Sequence, residues 1–378
     1  MSSVERLSRF EGWSEIQPGC LGGATEGLRP FFAGPEAYAR MDAVRQAINE
    51  IRSAWDRYPE FMRELRQTVR AVGADHGSHS AEWEELLAST KSWADGYEKP
   101  DRKDYTAVKL YTSDSGYRQV YQVINEALRT ESILDEDSLL RSAAFLVELL
   151  NIDLFNFLAR NAAVAGFEGT VYRGMCVTAQ ELERFRQIAQ GPIQDRYISI
   201  PLSMASSSRD IYYAMRFAME RSRRDPDVYP LLLEVKVYGL PREILAAYHT
   251  RYPRSIVTSL CAVPVEAISA FPQEKEVLLR GPHFQIVRFA EPEVLPAFDQ
   301  PAYRVESVML NSNRDHITAI ASNLGADREA RDLFRAMVVE RRSALCAEFA
   351  EHADRPEDVE QYRTVAEENR RLVAALLG

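Results

Sequence analysis

The sequence has only four cysteines, Cys20, Cys176, Cys261 and Cys346, and no two of them form a C-x-x-C pair. Neither a structural zinc site nor a redox dithiol is indicated, and free thiols are expected. No apolar run approaches the ~18 residues of a membrane span, and the stretch after Met1 resembles no signal peptide. A soluble protein is expected, either cytoplasmic or exported by a route that needs no signal peptide. No Asn-x-Ser/Thr acceptor occurs, which weakly opposes a eukaryotic secretory route. The Walker phosphate loop, the G-x-G-x-x-G fingerprint and the G-x-S-x-G nucleophile elbow are also missing, and Pro18 to Gly27 reads as a plain Gly-rich loop. Excess positive charge is lacking too: 46 Lys and Arg stand against 56 Asp and Glu, a net charge of -10. A nucleic-acid partner is disfavoured, because a polyphosphate calls for a broad basic face. His76 and His79 have metal-compatible spacing but sit in a Gly/Ser turn without a third ligand type, so no metal is expected.

What is present is an ordinary globular composition over 378 residues, ample for a core that needs no staples. Apolar residues recur at helical spacing at Met41, Val44, Ile48, Ile51 and Trp55. After a break at Tyr58-Pro59 they recur again at Met62, Leu65, Val69 and Val72. Ser80 can cap a further helix with Glu82, Glu84 and Glu85 in its first turn. Helices are also expected at Gly116 to Arg129 and at Ser138 to Arg160, the latter too apolar for a surface. Short β-prone runs follow between Gly166 and Leu310, separated by Pro and Gly. The helical period returns from Asp327 and is split at Arg355-Pro356, which predicts a helical hairpin. The chain therefore divides into a helical region over 1–100, a sheet-rich domain over 101–312 and a helical extension over 313–378.

Three segments of the sheet-rich part carry chemistry together: Val171-Tyr172-Arg173-Gly174, Ser206-Ser207-Ser208, and Phe271-Pro272-Gln273-Glu274-Lys275-Glu276 leading into Val277-Leu278-Leu279. Taken singly, each has an ordinary explanation. A strand arginine usually sits in a surface ion pair, a serine run usually caps a helix, and alternating glutamates usually mark a wet strand face.

In this order and β-context, the three segments resemble the motifs of the R-S-E class of mono-ADP-ribosyltransferases, which spans arginine-specific ectoenzymes and many bacterial toxins and effectors. Arg173 falls on the aromatic-Arg motif, Ser206-Ser207-Ser208 on the Ser-Thr-Ser motif and Glu274-Lys275-Glu276 on the Glu-x-Glu motif. Phe217 aligns with the aromatic that stacks on nicotinamide, and Tyr105 to Arg129 is similar to the helical segment before the family core. The resemblance covers about Tyr105 to Leu310. Ser207 stands in place of threonine and Met204 in place of a common aromatic, while Glu220 to Pro230 and Leu240 to Pro253 look expanded. It implies an α+β fold with a two-sheet NAD-binding β-sandwich core, NAD as co-substrate, and a protein partner modified on arginine. The alternatives are an NAD glycohydrolase and a catalytically idle protein-binding module.

The residue types suit that chemistry on physical grounds. A guanidinium never deprotonates and bonds two oxygens at once, so Arg173 would anchor a pyrophosphate. Gly174 would let the backbone approach the nicotinamide amide. Ser206, expected at a strand end, would tie the ribose to the glutamate strand, Ser208 joins the NAD-binding residues as the resemblance implies, and Phe217 would supply a flat apolar partner for the ring. Breaking the nicotinamide–ribose bond develops positive charge on the sugar, which Glu276 would stabilise. If both glutamates lie on a strand, residues i and i+2 share a face, so Glu274 would sit one step nearer the acceptor and take its proton.

Overall fold

The computed structural model describes residues 50–72, 81–88, 104–114, 137–161, 166–193, 196–199, 204–239, 261–280, 283–311 and 328–377, together with Ala47, Ile48, Trp93, Gly116, Val164 and Thr250. The predicted Gly-rich loop, the histidine pair, nearly all of the helix expected at Gly116 to Arg129 and the expanded stretch from Leu240 lie outside the described residues.

Among the described residues, the helices before the first strand include α1 (Tyr58–Val72), α2 (Ala81–Ala88), α3 (Thr106–Thr112) and α4 (Asp137–Arg160). The break read at Tyr58-Pro59 is where α1 begins, with proline in the first turn, where its missing N–H costs nothing. The apolar run at Ser138 to Arg160 forms α4, whose Phe145, Leu146, Leu149, Leu150 and Leu154 are fully buried. Several of its polar residues, among them Glu148, Asn151 and Asp153, are buried as well and make specific bonds. Glu148 pairs with Arg52, and Asn151 bonds both Glu148 and Arg280. Asp153 accepts the backbone N–H groups of Ala107 and Val108 at 2.8 and 3.1 Å, which satisfies two donors at the start of α3.

The strands are β1 (Gly169–Thr178), β2 (Tyr197–Ser199), β3 (Met204–Ser208), β4 (Val228–Tyr238), β5 (Ala262–Pro264), β6 (Glu276–Arg280), β7 (His283–Val294) and β8 (Pro301–Leu310). Between them run α5 (Ala179–Gln190), which starts at a Thr178–Glu181 capping box, and α6 (Ile211–Arg224), capped by the Asp210 side chain. Thus the stretch from Glu220, read as a loop expansion, is the end of α6 and the start of β4.

The expectation of two separate sheets gives way to one hydrogen-bonded array of eight strands in the order β2-β7-β8-β4-β1-β3-β6-β5. Its weak point is the β1–β3 seam, where Tyr172 opposite Ser208 is the single registered pair. This seam divides a long five-strand section from the three strands β3, β6 and β5. The two sections share one apolar cluster, in which Ala205, Val277 and Leu279 meet Val171, Leu231, Leu233 and Val305. Because strand side chains alternate, the other face of the short section, with Met204, Val263 and Leu278, packs into the cluster of helices α1 to α4. The short section is thereby held between sheet and helices.

After β8, helices α7 (Arg328–His352) and α8 (Pro356–Leu377) pack antiparallel, with Phe349 against Tyr362 and the Ser343 hydroxyl donating to the Ala366 carbonyl. They are pinned to the sheet-rich part by the buried pair of Arg196 with Asp358, at 2.7 Å, and by Lys236 and Tyr238 bonding Glu348.

Candidate active site

The three motif segments meet where β1, β3 and the turn before β6 come together. Arg173 lies on the face of β1 that looks toward the shared cluster, and its Nη1 donates to the Ser206 carbonyl across the seam. Ser206 is in the middle of β3 rather than at its end. It sits opposite Leu278, so Glu276 is its diagonal neighbour on the same face, and the Ser206 hydroxyl donates to Glu276 Oε1 at 2.6 Å. Ser207 points to the other face and bonds the Val277 carbonyl at 2.7 Å. Ser208 donates to the Glu274 carbonyl at 2.6 Å and accepts from the Asp210 N–H at 2.9 Å. The serine run thus fastens two strands and a turn, and the cap of α6 is left to Asp210.

Glu274 and Glu276 line the same cleft, but strand alternation is not what brings them there. Glu274 ends a 3-10 turn, Pro272–Glu274, and Lys275 has φ of 50°, in the left-handed region. Only Glu276 is on β6. The proline starts the turn and the left-handed lysine reverses the chain into the strand, with Arg209 N–H bonding the Lys275 carbonyl at 3.2 Å and Lys275 Nζ 3.3 Å from Asp210.

Glu276 is 7% exposed. Burial pushes its carboxyl up to about 7; the Ser206 hydrogen bond opposes that rise, the neighbouring Glu274 carboxylate adds to it, and Arg173 opposes it. A carboxylate that titrates near neutrality beside a cation and a second carboxylate, inside a cleft, is the pattern of a reacting group.

Helix α6 forms one wall. Its Met215, Ala218 and Met219 are buried against β1 and β4, which turns Tyr213, Arg216 and Phe217 to the cleft. Phe217 is 55% exposed at the cleft surface. Gly174 has a structural reason for its lack of a side chain: a Cβ there would lie 2.2 Å from the Ala214 carbonyl, inside the backbone of α6. The glycine brings α6 onto β1 and so sets the wall. Helix α3 forms the opposite wall with Tyr111 and Thr112. The Tyr111 hydroxyl donates to the Met204 carbonyl at 3.2 Å, and Thr112 Oγ1 accepts from the Ala270 N–H at 2.9 Å, just ahead of the Glu274 turn.

Arg216, Tyr213 and Asp114 also line the cleft, although the sequence reading did not single them out. Arg216 Nη2 donates to Glu274 Oε1 at 2.7 Å, and its guanidinium carbon lies 4.5 Å from the Phe217 ring centroid. Tyr213, Arg216 and Phe217 follow each other at i, i+3 and i+4, so placing Phe217 in a site already places the other two on its face.

The cleft holds about 340 Å³, within the range of small-molecule sites. A cation, an exposed aromatic ring and a buried carboxylate thus line one cleft. Among the described residues no cluster of His, Cys, Asp and Glu could hold a metal ion, and no helix is long and apolar enough to cross a membrane.

No protein-family model matches the chain, and no curated protein does. Among solved structures, the chain is similar to the ADP-ribosyltransferase Vis in complex with agmatine, at 16% identity and a TM-score of 0.36 over 62% of this chain and 87% of that one. A further structure of Vis, a toxin from Vibrio splendidus, gives 16% identity and 0.35. The ADP-ribosyltransferase toxin Plx2a from Paenibacillus larvae gives 16% and 0.33, over 60% of this chain and 96% of that one. Likeness of this degree fixes neither fold nor activity, so the functional reading has to stand on the residues of the cleft.

Proposed function

We propose that the chain is a mono-ADP-ribosyltransferase of the R-S-E type, which moves ADP-ribose from NAD to an arginine of a protein and releases nicotinamide. One observation carries this: Glu276, buried and raised toward neutrality, is bonded to Ser206 beside Arg173, with a second carboxylate, Glu274, on the same cleft.

In this reading Arg173 anchors the pyrophosphate, while its bond to the Ser206 carbonyl keeps it in place. Phe217 stacks on the nicotinamide ring. Glu276, once ionised, stabilises the positive charge that develops on the ribose as the nicotinamide bond breaks and the ring departs with the bonding electrons. The acceptor guanidinium, strongly basic and therefore protonated, is a poor nucleophile, and Glu274 orients it and accepts its proton as the new bond forms. Residues 101–312 are the catalytic domain, with the flanking helical regions bracing it.

A second reading, an NAD glycohydrolase, draws support from the contact between Glu274 and Arg216, because water needs that carboxylate less than a guanidinium does. Incubating the protein with a cell lysate and NAD labelled in its adenylate half, then mapping the label by mass spectrometry, separates the two. Label on arginine is expected. Nicotinamide release without any protein-bound label would establish the glycohydrolase instead.

A further inference from the structure

The Arg216 guanidinium touches two groups to which the proposed reaction gives a task. It donates to Oε1 of Glu274 at 2.7 Å, the carboxylate assigned to the acceptor's proton. It also lies 4.5 Å from the centroid of Phe217, the ring assigned to nicotinamide, and 5.6 Å from that of Tyr213. A guanidinium bonded to a carboxylate and flanked by aromatic faces is the arrangement an acceptor arginine would need in this cleft. Both partners of the ion pair keep solvent access, with side chains 35% and 26% exposed, so the pair is weak enough to be exchanged.

We propose that Arg216 is an internal stand-in for the acceptor arginine: it holds Glu274 in the free protein, and an incoming guanidinium has to displace it. The inference rests on the reading of Glu274 as the acceptor's partner. Because the same side chain covers part of the Phe217 ring, a nicotinamide ring settling on that face pushes Arg216 aside and releases Glu274. NAD and the acceptor therefore assist each other's binding, and by linkage each raises the affinity of the other by the same factor.

The test is calorimetric titration of the full chain with agmatine, a small guanidino compound, with and without an NAD analogue whose ribose ring oxygen is replaced by carbon. In the wild type the analogue should tighten agmatine binding. Arg216→Gln should bind agmatine alone about two- to fivefold tighter than wild type, the span a partly exposed ion pair supports, and should lose most of the gain from the analogue. Arg216→Lys keeps the charge at Glu274 and should behave nearly as wild type. If Arg216→Gln binds agmatine no tighter than wild type, or gains as much from the analogue, the stand-in is refuted while arginine remains the acceptor. If agmatine binds none of the proteins under either condition, the arginine reading falls and the stand-in with it.

Discussion

The Ser206 hydroxyl donates to Glu276 Oε1 at 2.6 Å while the Ser206 carbonyl accepts from Arg173, so one serine couples the buried carboxylate to the guanidinium. The coupling works across a seam with one registered residue pair between β1 and β3. Backbone pairing therefore does little to hold the two halves of the cleft together there; the shared apolar cluster and the Arg173–Ser206 bond do more.

The pH dependence follows from Glu276. Its carboxyl is raised to about 7 and has to be ionised to act, so kcat/KM should climb with pH along an acid limb centred near 7. Ser206→Ala removes the hydrogen bond that favours the ionised form, and the limb should move to higher pH. The same shift costs stability: the folded protein holds this proton more tightly than the unfolded chain, so the contribution of Glu276 to stability is fully present below about 4.5 and is lost as pH rises through about 7, on the order of 3 kcal/mol. Thermal melts should show Glu276→Gln gaining on the wild type at pH 8.5 relative to pH 5.

Arg173→Ala should weaken NAD binding and lower turnover, and Arg173→Lys should rescue only part of the loss, because a point charge cannot replace a fork that bonds two oxygens. Calorimetry with NAD measures this. Unchanged affinity in a folded Arg173→Ala protein would place the arginine outside the site.

Gly174→Ala tests how α6 is seated. A methyl group 2.2 Å from the Ala214 carbonyl must push the helix off β1. The expected cost is about 1–3 kcal/mol, read as a lowered Tm, together with a raised KM for NAD as Phe217 moves. An unchanged melt would show that the contact between helix and strand is looser than this.

The C-terminal hairpin hangs on Arg196 and Asp358, both nearly fully buried. Asp358→Leu alone leaves a buried cation without its partner and should cost about 3–5 kcal/mol. The double variant with Arg196→Met should recover most of it in a denaturant titration. Equal losses in the single and double variants would mean that the pair itself is net stabilising.

The segments that meet in the candidate site were legible because each is local in sequence. Arg173, the serines and the two glutamates each lie in a short segment of distinctive residue types, and α4 was readable from its high apolar content. The sheet order was not, since it depends on distant pairings such as β4 with β8 in parallel, which no local period encodes. Arg216 escaped notice for a related reason. Its position at i+3 from Tyr213 shows a shared helix face, but that this face looks at Glu274 depends on Gly174 drawing α6 onto β1. Gly174 itself was read as clearance for a ligand, although the backbone of Ala214 already requires it.

The most direct measurement is a paired assay of nicotinamide release and ADP-ribosyl-agmatine formation on wild type, Glu276→Gln and Glu274→Gln. The wild type should show both activities. Glu276→Gln should lose both by about 10²–10³, the usual consequence of removing a preorganised electrostatic contact. Glu274→Gln should lose transfer while nicotinamide release persists, because it keeps size and hydrogen bonding and loses only the ability to take a proton. Nicotinamide release by Glu276→Gln at more than half the wild-type rate, or an equal fall of both activities in Glu274→Gln, would contradict the roles assigned to the two carboxylates.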